Sequence, residues 1–197
     1  MKLISLVFHP IIMPILGVLF YFSKTPRFIP EPVIKAKLFS VSILTIVLPI
    51  LFYFLLKITN KVQSVNLSNT KERLIPLLLN TIITALILFR IFKPNDIIEL
   101  YYYFVGILIS SIICFVLASF KIKASIHMIG ASGFFMFAVV LGIFYKININ
   151  GTIALMLLIL GAIATSRLHL KAHTNFEIIV GMLVGMLPQL LLLLYGL

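Results

Sequence analysis

The stretch IALMLLILGAIATSRLHLKAHTNFEIIVGMLVGMLPQLLLLLYG, residues 153–196, decides how this chain folds. Two apolar runs flank a polar joint, Ser166 to Glu177, that holds Arg167, His169, Lys171, His173 and Glu177. Each run approaches the roughly 20 residues a helix needs to cross a bilayer. The stretch therefore reads as two membrane helices that turn back on each other through the joint. Ionisable groups at such a boundary are costly, and those that persist face a protein interior or a wet cavity. The spacing adds a chemical reading. If a helix begins near His173, Glu177 lies one turn further along the same face. Its carboxylate can then accept a proton from one imidazole nitrogen and leave the other available as base or nucleophile. Arg167 brings a planar fork of donors suited to an anion.

Composition agrees with a membrane setting. Of 197 residues, 62% are hydrophobic, and the charged set is 16 Lys or Arg against 5 Asp or Glu. The mean hydropathy is +1.22, and a soluble domain of this length cannot bury so much apolar surface. The chain reads as one integral membrane domain, 1–197. The net charge of +11 falls in short gaps between apolar runs, which suits interfacial anchoring and anionic lipid head groups. No basic face or motif suggests nucleic acid. The one cysteine, Cys114, lies inside an apolar run and says little about redox compartment. The amino terminus has the look of a signal peptide but lacks a small-residue cleavage site, and reads as a retained span.

The predicted fold is an all-α, polytopic transmembrane helical bundle of six core spans plus an extra N-terminal one. Its spans fall near 3–22, 38–56, 74–92, 98–119, 127–145, 152–167 and 176–195. Pro10 and Pro14 predict a kink or re-entrance in the first. The proline-rich linker Lys24 to Lys37 reads as an extended or short helical segment in the interface. Tyr101, Tyr102 and Tyr103 read as an aromatic belt. Gly130, Ser132 and Gly133, Gly161 with Ala162 and Ala164, and the Gly181–Gly185 step predict close helix approach. If the spans alternate, residues 57–73, 120–126 and 168–175 share one membrane face. His9 falls on the same side, as an interface residue, so all four histidines lie toward that face. Convergence of His, Arg, Lys and a carboxylate at one end of a bundle is the pattern of a site.

Three segments on that face resemble the three signatures of the membrane-bound type 2 phosphatidic acid phosphatase family, across a core of residues 60–190. Ser166, Arg167, His173 and Glu177 resemble the third, S-R-x5-H-x3-D, with Glu in place of Asp. Ala124-Ser125-Ile126-His127 resembles the second, P-S-G-H. Lys71, Glu72, Arg73 and Pro76 stand where the first, K-x6-R-P, belongs, with Asn66 in place of its lysine. The resemblance implies a metal-independent, cofactor-free hydrolase of lipid phosphates: phosphatidic acid, phosphatidylglycerol phosphate, polyprenyl (di)phosphate or lipid A phosphate. By position it implies His173 as nucleophile, Glu177 as its orienting carboxylate and His127 as acid. It gives phosphate binding to Lys71, Arg73, Ser125, Ser166 and Arg167. It also implies a site on the extracytoplasmic side of a bacterial inner (plasma) membrane. Lys and Arg number nine on the motif face and seven on the other, too even for charge to set the orientation.

Two departures carry expectations. Ile126 replaces a glycine suited to close backbone approach and is expected to restrict the turn and crowd the site. Glu177 adds a methylene that shifts its partner. Other readings stay open. A weakened relative, or a lipid-binding or transport bundle, needs no turnover. A metal enzyme follows if one continuous helix stacks His169, His173 and Glu177, with His127 as a fourth ligand.

Overall fold

In lipid, a chain this apolar satisfies its backbone polar groups only by closing them into helices or a barrel. The computed structural model describes residues 1–59 and 70–196, without the side chains of residues 2, 70–72 and 193–195, and these described residues contain helices and no strand. In order they form α1 (Lys2–Val7), a 3-10 turn (Pro10–Ile12), α2 (Met13–Lys24), α3 (Glu31–Ser42), a π turn (Ile43–Val47) and α4 (Leu48–Ile58). There follow α5 (Thr70–Arg90), α6 (Ile98–Ser119), α7 (Ile126–Phe144), α8 (Asn150–His169) and α9 (Asn175–Gly196). Seven helical stretches among the described residues are long and apolar enough to cross a membrane. The protein is an integral membrane helical bundle, as its hydropathy predicts.

Prolines punctuate the spans. The first breaks at Phe8-His9, where Pro10 opens the 3-10 turn and His9 caps it by accepting the Ile11 N–H at Nδ1, 3.3 Å away. The break is a kink, because α2 continues to Lys24. The linker differs from expectation in its second half. The helix begins at Glu31, with Pro30 as N-cap and Pro32 in the first turn, positions that need no N–H donor. It runs on through the π turn and α4 as one span, Glu31–Ile58. Pro49 lies just past that π turn. A wider turn there relieves the clash of its ring with the carbonyl of Thr45. In α9, Pro188 removes the donor for the Val184 carbonyl, and the Ser110 hydroxyl of α6 supplies one at 2.8 Å.

α7 is the most enclosed span, and α9 packs against it along glycines. A Cβ at Gly181 would stand 2.8 Å from the Ser125 carbonyl oxygen, and one at Gly185 would stand 3.0 Å from the Gly133 nitrogen. The predicted small-residue step therefore sets the α7–α9 approach. Gly161 does not act this way: it is exposed, with nothing near its Cβ position among the described residues. Tyr103 is no belt residue either. It is buried, and its hydroxyl donates to the Met13 carbonyl at 2.9 Å; one face of α6 points inward from its first turns.

The turns before α7, α8 and α9 share one device. Lys121, Lys146 and Lys171 each adopt a left-handed φ, of 62°, 54° and 50°. In each turn the next residue donates back five positions, Ile122 to Leu117, Ile147 to Gly142 and Ala172 to Arg167. This is the Schellman closure usually supplied by glycine. At the far end of the bundle from His173, Glu99 is fully buried, paired with Arg27 at 2.8 Å. It also accepts from Tyr145 at 2.7 Å and from Tyr21 at 3.1 Å.

Candidate active site

The polar joint of α8 and α9 is a helix, a turn and a cap. α8 ends at His169, and α9 starts at Asn175. Thr174 and Glu177 form a reciprocal cap: the Glu177 N–H donates to Thr174 Oγ1 at 3.3 Å, and the Thr174 N–H donates to Glu177 Oε2 at 3.1 Å. The pattern Thr-x-x-Glu is a capping box. The same Oε2 accepts the Nδ1–H of His173 at 2.8 Å. Glu177 thus fixes the helix start and the imidazole together, and its longer arm serves both contacts.

His173 is 7% exposed. Burial holds its imidazole well below the ordinary range, to about 4; the Glu177 hydrogen bond opposes this, and the nearby Arg73 and Arg167 guanidiniums reinforce it. With Nδ1 donating to Glu177, the neutral ring carries its lone pair on Nε2. His173 stands where two spaces meet. A cavity of about 1280 Å³, mostly apolar, runs into the bundle and is bordered at this end by Arg73, His127, Arg167 and His173. A smaller depression of about 330 Å³ lies on the other side of His173 and Ala172, bordered by Lys123, Lys171, Thr174 and Glu177.

The start of α7 is tied to this joint. The Ser125 N–H donates to the Glu177 carbonyl at 3.1 Å, an approach that Gly181 permits. Arg73, buried in the first turns of α5, donates from Nη1 to the Ala124 carbonyl at 3.3 Å. Ser125 is fully buried, and its hydroxyl has no hydrogen-bond partner among the described residues. Ile126 is the first residue of α7 and borders the cavity. Its backbone has no left-handed φ. The turn itself therefore makes no conformational demand for glycine.

The sequence did not point to α1. Ser166 Oγ donates to the Met1 carbonyl at 2.7 Å and lies 3.0 Å from Ser5 Oγ. Arg167 Nη1 donates to Ser5 Oγ at 3.5 Å, and its Nε has no partner among the described residues. The His127 Nε2–H donates to the Ser5 carbonyl at 3.1 Å. The His9 ring meets His127 edge-on, at 5.4 Å between centroids. The kink after α1 is what folds Ser5 and His9 onto the site.

Arg73, His127, Arg167 and His173 therefore gather around one cavity end, with Glu177 behind His173. Ser125 and Ser166 are packed beside them, and Ser166 is engaged by α1. The backbone of Lys71 belongs to α5, but its side chain lies outside the described residues, as do Asn66, Ser68 and Asn69. The continuous helix needed to stack His169, His173 and Glu177 does not form. The chain reverses at Lys171, and His169 is exposed on the last turn of α8. Among the described residues no three His, Cys, Asp or Glu side chains gather as a ligand set. Comparison with protein-family models, curated proteins and solved structures finds no match to this chain.

Proposed function

We propose that the protein is a membrane phosphatase that hydrolyses a lipid phosphate or polyprenyl (di)phosphate through a phosphohistidine. The observation that carries this reading is the His173–Glu177 pair beside Arg73 and Arg167, at the meeting of a polar surface depression and a large apolar cavity. An amphiphile matches both spaces: phosphate at the junction, apolar chain in the bundle.

The chemistry needs positioning and charge stabilisation more than covalent machinery. The His173 Nε2 lone pair forms a bond to phosphorus as the bond to the leaving oxygen breaks. Glu177 holds Nδ1–H and stabilises the charge that develops on the ring. Arg73 and Arg167 oppose the charge on the phosphoryl oxygens. His127 acts as the imidazolium: it passes its Nε2 proton to the leaving alkoxide or phosphate and keeps its Nδ1 proton. The Ser5 carbonyl, which now accepts that proton, gives way to the substrate. Water then loses a proton to His127 and attacks the phosphohistidine, releasing inorganic phosphate and restoring His173. The resemblance of the three segments supports a site on the extracytoplasmic face of a bacterial inner membrane.

The test uses the purified full chain with a metal chelator present, against a panel of radiolabelled lipid mono- and diphosphates. Label should pass transiently to the protein in an acid-labile, base-stable linkage and be released as phosphate. His173→Gln should abolish both. Turnover that persists in a folded His173→Gln protein, or that appears only when a divalent ion is restored, overturns the proposal.

A further inference from the structure

The large cavity has a second polar station, at its inner end. Gln189 of α9 borders it and is 1% exposed. Twelve residues separate Gln189 from Glu177, so it lies about 18 Å further along the helix, more than half of a ~30 Å hydrocarbon core. Its Nε2 donates to the Tyr103 carbonyl at 2.9 Å, which fixes the amide's orientation and leaves Oε1 as its unused acceptor. That Oε1 has no hydrogen-bond partner among the described residues. The amide is received by a notch in α6. A Cβ at Gly106 would lie 2.7 Å from Gln189 Cδ, so a side chain there would displace it.

The neighbouring polar groups have the same character. The Ser110 hydroxyl donates to the Val184 carbonyl at 2.8 Å, Tyr103 to Met13 at 2.9 Å and Thr45 to Val41 at 2.9 Å. All three border the cavity. A hydroxyl has one proton and two acceptor lone pairs. With those protons committed to backbone carbonyls, these hydroxyls offer acceptors. The Asn80 amide and the Ser111 hydroxyl also border the cavity, but an ester or an ether brings no donor to Gln189 Oε1. A hydroxyl on an apolar body brings the missing donor. The volume, about 1280 Å³, exceeds the ~300–1,000 Å³ usual for small-molecule pockets and suits a long hydrocarbon.

We infer that Gln189 anchors a second binding site, one for the hydroxyl group of a neutral, long-chain lipid alcohol lodged in the cavity. The site is separate from the anion-binding end and does not depend on phosphatase activity.

The experiment is equilibrium binding of tritiated hexadecanol, and of its methyl ether, to the full chain in lipid nanodiscs. The alcohol should bind saturably, and the ether at least about tenfold more weakly, since a site that hydrogen-bonds a hydroxyl rejects the analogue lacking one. Gln189→Met keeps the length of the side chain and should remove the preference. Gly106→Ala should weaken it by displacing the amide. The comparison of alcohol with ether in the unmodified protein decides the matter even if neither variant folds. Equal binding of the two probes, no saturable alcohol binding, or a preference that survives in folded Gln189→Met would each overturn the inference.

Discussion

The two ends of this bundle each bury charge, and they do so differently. At the Glu99 end both carboxylate oxygens are occupied, by Arg27, Tyr145 and Tyr21. At the His173 end, Arg167 has no carboxylate within ion-pair reach among the described residues, and its Nε is without a partner. The one carboxylate there among the described residues, Glu177, is committed to His173 and to the cap of α9. A completed cluster ties elements together: Glu99 joins the linker, α2, α6 and the end of α7. A cationic cluster beside a cavity, with Arg167 Nε unpartnered among the described residues, holds interaction capacity in reserve for an anion. Both ends bury ionisable groups, so burial alone does not separate architecture from site. The state of the hydrogen-bond partners does.

That contrast predicts opposite phenotypes. His173→Ala removes the nucleophile and should abolish turnover, while leaving the thermal midpoint in detergent near that of the wild type. Glu99→Ala should do the reverse. It strands two tyrosine hydroxyls and a guanidinium, and should cost about 3 kcal/mol of stability. The surviving folded protein should keep its turnover. Paired melting and phosphate-release measurements on both variants check this. Loss of turnover per folded molecule in Glu99→Ala would mean that the far end communicates with the site, and the division would fail.

A smaller effect tests the surplus charge. Arg167→Lys keeps the charge but loses the fork, so KM for a lipid phosphate should rise by roughly tenfold. Arg167→Met should also move a pH limb. Cationic neighbours disfavour the imidazolium of His173 and hold its pKa low. Removing one must raise that pKa, so the acid limb of kcat/KM should shift to higher pH in Arg167→Met. An unmoved or lowered limb would separate Arg167 electrostatically from His173.

Hydropathy carried most of the fold because the bilayer imposes its own length rule on every span. The misread parts were those in which a residue type has two uses. Pro30 and Pro32 read as part of an extended or short helical linker, yet proline at an N-cap or first turn starts a long helix here. Lys121, Lys146 and Lys171 read as anchors, yet each also closes a Schellman turn in which glycine is the usual signal. Tyr103 belonged to a triplet that suggested the interface, and only the packing of α2 on α6 shows it facing inward. At the site, His173 and Glu177 were legible because their contact is local. The Thr174-x-x-Glu177 capping pattern was present in the sequence and explains why Glu fits there. Ser5 was not legible: no local pattern says that a kink at His9 will fold the first turns back onto residues 127, 166 and 167.

The finest test concerns Ile126. Where the resembled motif keeps glycine, an isoleucine suggests a restricted, crowded turn whose relief would speed the chemistry. The geometry argues otherwise. Ser125 is the N-cap, with φ of −79°, and Ile126 is already helical, with no left-handed φ. Its side chain is half-buried and packs on the small cluster of Leu77, Cys114, Ala118 and Ala124. Ile126→Gly therefore relieves no strain. It removes that packing and adds backbone freedom, at a cost of about 1–2 kcal/mol. Turnover on a lipid phosphate should stay within about threefold of the wild type, since the functional atoms of Ser125 and His127 keep their backbone positions. A tenfold gain would mean that the Ile126 side chain blocks the phosphate directly. A tenfold loss in a folded protein would make it part of the wall that seats the substrate's first carbons. The two outcomes differ in KM, which should fall in the first case and rise in the second.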